Sequence, residues 1–328
     1  MNIVNSIIVN VGILFIMMVP GVILKKCKLV PDGFGKGVSN LVLYIAQPVL
    51  VFLAYVRPFD AEILKNAAVV LLLSVIAHLI FSVITFLCYK KAPEKAQRML
   101  RFATIFSNAA FMGIPLISAV LGPEATIYAS VYNITFNMFL WSLGVYICTA
   151  HTDVDGDGIP DGLTRTKNEA SLLKALYHPV TIAAALGLVF FITPLNDHIP
   201  TIINDSLVML KNLVAPLSMA VIGLRLADMD LRGFFKDKYM YLFLVLRHVA
   251  LPVLVLAAIR LVMLTGLYVS EEVLMVTLIL AACPAASSAT MFAEKYDCDA
   301  AYVSKLVAFS TILSIATMPL MVMLAQSF

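Results

Sequence analysis

SNAAFMGIPLISAVLG (Ser107 to Gly122) and LAACPAASSATMFAE (Leu280 to Glu294) are the two stretches whose reading decides the fold. Each is apolar and interrupted near its middle, the first by Gly113 and Pro115, the second by Pro284. Proline removes a backbone donor, and its ring clashes with the preceding turn. In lipid that is tolerated only where the freed groups are buried in protein or line a cavity. Interrupted apolar segments at corresponding places in two halves point to the binding site of a carrier. Pro115 and Pro284 stand 169 residues apart in a chain of 328.

The surrounding composition agrees. Hydrophobic residues make up 61% and charged residues 13%, and the mean hydropathy is +0.95. Soluble domains lie nearer half apolar and a quarter charged, so the chain reads as an all-α polytopic membrane protein. The net charge of +3 says less than where the charges lie. No basic stretch with a small-residue cleavage site precedes residues 3–24, which read as a first spanning helix. The five cysteines (Cys27, Cys88, Cys148, Cys283, Cys298) show no CxxC or metal-ligand spacing and read as small apolar residues.

A spanning helix needs about 20 mostly apolar residues. Ten such segments are drawn, near 3–24, 38–56, 65–89, 100–121, 125–149, 176–194, 201–224, 239–264, 271–293 and 300–325. Lys and Arg concentrate in the odd-numbered loops, as in Lys25, Lys26, Lys28 and Lys36, or Lys90, Lys91, Lys95, Arg98 and Arg101. Cytoplasmic loops carry that excess, which places both termini outside a cell membrane. Pro48, Arg57 and Asp60 recur as Pro216, Arg225 and Asp228 at an offset of 168, and His78 recurs as His248 at 170. The expectation is a five-helix repeat over 1–149, an acidic connector over 150–174, and a second repeat over 175–328. An odd helix number inverts the second copy, as in secondary transporters.

Within this frame each break is expected to start a new half-helix, at Pro115 and at Pro284, because proline is favoured at the first helical position. The following N–H groups lack partners and carry the positive end of the dipole. Two such ends aimed at each other make a place for a carboxylate. Ser287 and Ser288 can add hydroxyl donors, and Asn108 precedes the first break by two turns. The plainer alternative is a pair of simple kinks.

His78, Arg247, His248 and Lys305 lie inside segments, and ionisable residues at that depth are functional hypotheses. His78 and His248 are read at corresponding places, as candidates to relay a proton or simply as buried, hydrogen-bonded histidines. Arg247 and Lys305 can offset substrate charge or pair with a helix carboxyl end. Asn133 and Asn137 share a helix face and either bond between helices or line the site. Asp153, Asp155, Asp157 and Asp161 match the first part of a calcium loop, but Thr164 stands where the bidentate glutamate belongs. A solvated connector is the simpler reading, and calcium a weak candidate. HExxH, GxSxG, GxxxxGK[ST] and GxGxxG are all absent, so neither an enzyme, a cofactor nor a nucleic-acid partner is expected.

SNAAFMGIPL (107–116), AACPAASSAT (281–290), KLVAFSTILSIATMPL (305–320) and APLSMAVIGLRL (215–226) together resemble the auxin efflux carrier family, which includes bacterial malate and malonate permeases. The resemblance covers essentially the whole chain. It implies ten helices in two inverted five-helix repeats of bile-acid-symporter-like, elevator type, with helices 4 and 9 broken and crossing at the substrate. It also implies a scaffold of helices 1, 2, 6 and 7, often dimeric. Asn108, Gly113, Pro115 and Pro284 match the crossover motifs, whereas the acidic loop matches nothing in the family. The expected function is a carrier of small mono- or dicarboxylates in the lipid bilayer, with H+ or Na+ as the candidate coupling ion. A sodium symporter is the rival within transport. A ligand-binding membrane receptor, which would need a soluble domain or a partner to signal, is the rival outside it.

Overall fold

The structure, a computed structural model, describes residues 3–149, 172–227 and 237–326. The described residues are helical, without a strand. The helices are α1 (Ile3–Ile16), α2 (Val19–Lys26), α3 (Phe34–Tyr55), α4 (Ala61–Cys88), α5 (Glu94–Ile105), α6 (Ala109–Val120) and α7 (Gly122–Thr149). From residue 172 onward come α8 (Leu172–Leu176), α9 (Pro179–Ile192), α10 (Thr201–Ala227), α11 (Lys238–Leu264), α12 (Glu271–Ala282), α13 (Ser288–Lys295) and α14 (Ala300–Gln326). Among the described residues seven helices are long and apolar enough to cross a membrane: α1 with α2, then α3, α4, α7, α10, α11 and α14. The acidic residues Asp153, Asp155, Asp157 and Asp161 lie outside the described residues.

Helix starts follow their capping residues. The Asp60 carboxylate accepts from Glu62 N at 2.8 Å, and Asp237 accepts from Tyr239 N at 2.9 Å. Each satisfies a first-turn donor that the helix cannot. These caps correct the register read from sequence. The residue that caps α11 as Asp60 caps α4 is Asp237, 177 positions on, and not Asp228 at 168. His78 therefore lies 17 residues beyond Ala61, but His248 only 10 beyond Lys238, and the two histidines do not occupy corresponding places.

Prolines leave a second mark. Four π-turns occur among the described residues, at 42–46, 109–113, 140–144 and 246–250. Three of them end two residues before a proline: Pro48, Pro115 and Pro252. A proline ring crowds the carbonyl four residues back, and widening the preceding turn relieves the clash, the usual form of a π-bulge. Pro115 thus sits inside α6, past its start.

The helices pack chiefly in two sets. In one, α2 lies on α10, and α3 lies on α9 and α10; in the other, α4 packs on α7, α11 on α12, and α12 and α13 on α14. The sets meet where α3 runs along α7 and where α1 touches α6 and α14. In the first set α2 and α10 approach backbone to backbone. A Cβ on Gly223 would stand 2.0 Å from Met18 O, and one on Gly21 would stand 2.1 Å from Ala220 O. Neither neighbour is a side chain that can rotate away. Gly223→Val is therefore expected to destabilise the protein by about 3 kcal/mol, the upper range for overpacking. Gly12→Ala, with open space around it, is expected to leave the thermal midpoint in detergent unchanged.

Candidate functional site

The two interrupted stretches cross. The chain leaves the helix after Ile105 and after Ala282, and at the break the two extended pieces pair antiparallel at Ser107 and Ala285. Asn108 N donates to Pro284 O at 2.7 Å, and Ala286 N donates to Phe106 O at 2.8 Å. Two short extended pieces thus satisfy each other's backbone, as burial requires. The half-helices beyond the crossing begin at Ala109 and Ser288, not at Pro115 and Pro284. The pairing occupies the backbone of 106–108 and 284–286, so a new helix starts only after it. Pro284 is the acceptor of that pairing, and Pro115 lies one turn into α6.

Four helix ends meet here. The carboxyl ends of α5 and α12 are covered by one side chain, Arg247, which is fully buried. Its Nε and Nη2 donate to Cys283 O at 3.0 and 2.7 Å, Nη2 to Ala281 O at 2.8 Å, and Nη1 to Thr104 O at 2.9 Å. A planar guanidinium with five donors suits such a cluster of carbonyls. It also places a positive charge against two negative dipole ends. Of the two roles read for Arg247, its geometry is that of the helix-end partner.

The amino ends of α6 and α13 are left differently. Their N-cap residues, Asn108 and Ser287, are of the types that cap helices, yet neither makes a side-chain cap bond. Instead Asn108 Nδ2 donates to Ser287 Oγ at 3.2 Å, and both residues are buried. Neither amino end therefore has a side-chain cap on its first-turn N–H groups, although Ala289 N donates to the Ala286 carbonyl at 3.0 Å. Ser288 is the first residue of α13. Gly113 lets the broken segments close together, since a Cβ there would lie 2.5 Å from Leu280 Cδ2 and 3.1 Å from Cys283 Sγ.

The other sequence candidates divide. His248 contacts Thr317 Oγ1 at 2.9 Å and Ser310 Oγ at 3.0 Å, and Ser310 Oγ accepts from Ala285 N at 2.8 Å, so this histidine reaches the crossing through one hydroxyl. His78 donates from Nδ1 to Ser74 O at 2.8 Å within its own helix and stacks on Phe139. Asn137 donates to the Asn133 carbonyl, also within its helix. The Asn133 side-chain oxygen is buried without a hydrogen-bond partner. Lys305 lines a separate feature, a cavity of about 950 Å3 beside α13. There Lys25, Lys36, Arg225, Lys295 and Lys305 outnumber Glu294.

Two residues went unread as site residues. Arg225 lines the cavity and donates from Nη1 to the Ser287 carbonyl. Gln47 donates from Nε2 to Ala110 O at 2.9 Å. In the π register, where Ile114 N bonds Ala109 O, the next donor would come from residue 115. Proline has none, and Gln47 fills the gap. A glutamine within an apolar segment just before a proline was the available signal.

Residues 6–322 match a family model described as membrane transport protein. An uncharacterized transporter of Methanothermobacter thermautotrophicus is 24% identical over 308 residues, covering 93% of this chain and 94% of the relative. An uncharacterized transporter of Methanocaldococcus jannaschii is 27% identical over 227 residues, covering 67% of this chain and 69% of the relative.

Proposed function

Because this chain belongs to the membrane transport protein family, we propose that it is a secondary carrier of small mono- or dicarboxylates, with the anion held where the broken segments cross. One observation carries this reading. A single arginine covers both carboxyl ends at the crossing, while neither amino end has a side-chain cap. The negative dipole ends are thus neutralised and the positive ones are not, which favours a carboxylate. Asn108, Ser287 and Ser288 would orient it, and the basic cavity beside α13 would draw anions from one side.

The wider architecture follows the same reading. Counting α9 and the two half-helix pairs beside the seven long helices gives ten spans, as two inverted five-helix repeats. The set of α1, α2, α3, α9 and α10 would stay fixed as an often dimeric scaffold, and the other set would move past it as an elevator. The cell membrane, with both termini outside, is the orientation that loop charges support.

Thermal midpoints of purified protein against a panel of organic acids test the reading. A small dicarboxylate at saturation is expected to raise the midpoint by several degrees, since a ligand at 100 times its Kd adds about 2.7 kcal/mol. No shift from any acid in the panel contradicts the reading. Sodium coupling is a second reading, favoured by Gln47 Oε1 and Ser218 Oγ. Both oxygens are buried without a hydrogen-bond partner, on helices that pack at the first break. Uptake that persists when choline replaces sodium rules it out.

A further inference from the structure

Two side chains tie the set of α2, α3, α9 and α10 to the crossing, one to each arm. Gln47 of α3 holds the Ala110 carbonyl, in the first turn of α6. Arg225 of α10 holds the carbonyl of Ser287, the N-cap of α13. Both acceptors lie at the amino ends assigned above to the anion, so donors from one helix set reach across to the binding place on the other. Gln47 is buried, whereas Arg225 borders the basic cavity. Arg225 thus touches both that cavity and the Ser287 carbonyl.

We propose that Gln47 and Arg225 form a latch that bound substrate releases. With the crossing empty, the two donors hold both arms against the fixed helices. A carboxylate seated at the crossing draws the guanidinium and the amide off their carbonyls, and the arms are then free to slide. The direction of the exchange follows from hydrogen-bond strength, because a carboxylate accepts about twice as strongly as a neutral carbonyl. A ligand shifts a conformational equilibrium only through such a difference between states. Arg225 and Gln47 are positioning residues in this scheme. They set whether the unloaded carrier can move, and the scheme rests on the anion-carrier reading above.

The kinetic consequence is specific. An empty carrier that is held back returns slowly, so exchange of substrate for substrate outruns net uptake. The test uses proteoliposomes and radiolabelled malate, malonate or succinate, whichever gives the largest thermal shift. Wild-type vesicles preloaded with the unlabelled acid are expected to take up label about fivefold faster than empty ones, as the released latch no longer limits return. In Arg225→Gln, Gln47→Leu and the double variant that ratio is expected to fall towards one, through faster uptake into empty vesicles. Arg225→Lys, which keeps a cationic donor, is expected to restore part of it. Thermal midpoints separate this from misfolding, and the two single variants serve if the double variant does not fold. A ratio unchanged in folded variants overturns the latch alone. Absence of uptake of all three acids by the wild type removes the anion-carrier reading, and the latch with it.

Discussion

Arg247→Leu is expected to lower the stability of the protein in detergent by about 3–5 kcal/mol, the range for breaking a buried charged network. The substitution removes four hydrogen bonds at once and leaves the carbonyls of Thr104, Ala281 and Cys283 without these donors. Each buried acceptor left unsatisfied costs about 1–3 kcal/mol, and Thr104, Ala281 and Cys283 are all buried. Leucine also restores the negative ends of α5 and α12 to the site, so any folded fraction should bind anions less well. Arg247→Lys is expected to fall between, because one ammonium cannot reach three carbonyls with the geometry of a guanidinium. Thermal unfolding followed by intrinsic fluorescence or size-exclusion recovery reads the effect. A midpoint for Arg247→Leu within a degree or two of wild type would mean that the helix ends do not depend on this residue.

Asn108→Ala is expected to reduce uptake of the preferred acid about tenfold to a hundredfold with membrane insertion intact. A hydrogen bond to a charged group contributes about 1.5–3 kcal/mol, and each 1.4 kcal/mol is tenfold in affinity. Asn108→Asp sharpens the test. It keeps the shape and is a good helix cap, so the fold should persist, but its carboxylate occupies the amino end and repels an anion. Uptake should then fall further than in the alanine variant. Pro284→Ala is expected to act more mildly. Its carbonyl can still accept from Asn108 N, while the added N–H and the freed backbone angle loosen the extended piece. Initial rates of labelled uptake into proteoliposomes, normalised to inserted protein, measure all three. Wild-type rates in Asn108→Ala and Asn108→Asp together would remove Asn108 from the site.

The broken segments were legible because proline within an apolar run is a local signal. Where each helix restarts was not, since that depends on the pairing of 106–108 with 284–286, residues almost 180 positions apart. Gly113 was legible as an irregular position, but its cause, the close approach of Leu280 and Cys283, is tertiary. Offsets of 168 to 170 suggested equivalent residues, and they misplaced the histidines because the capped helix starts at Asp60 and Asp237 stand 177 positions apart. Asp60 and Asp237 mark the helix starts more reliably, as each carries its own capping chemistry. Arg247 was singled out by its depth alone. That it covers two helix ends follows from the crossing and from no motif. Arg225 was read only as one of a recurring pair, and Gln47 went unread although it directly precedes Pro48, because the carbonyl that each holds lies on a distant segment.

Hydrogen–deuterium exchange with and without a saturating dicarboxylate tests the central claim most directly, because the claim concerns particular N–H groups. Peptides covering 109–111 and 288–290 are expected to exchange more slowly when the acid is bound, in wild type and not in Asn108→Asp. Protection confined to the cavity-lining residues 30–40, with both amino ends at the crossing unaffected, would contradict it.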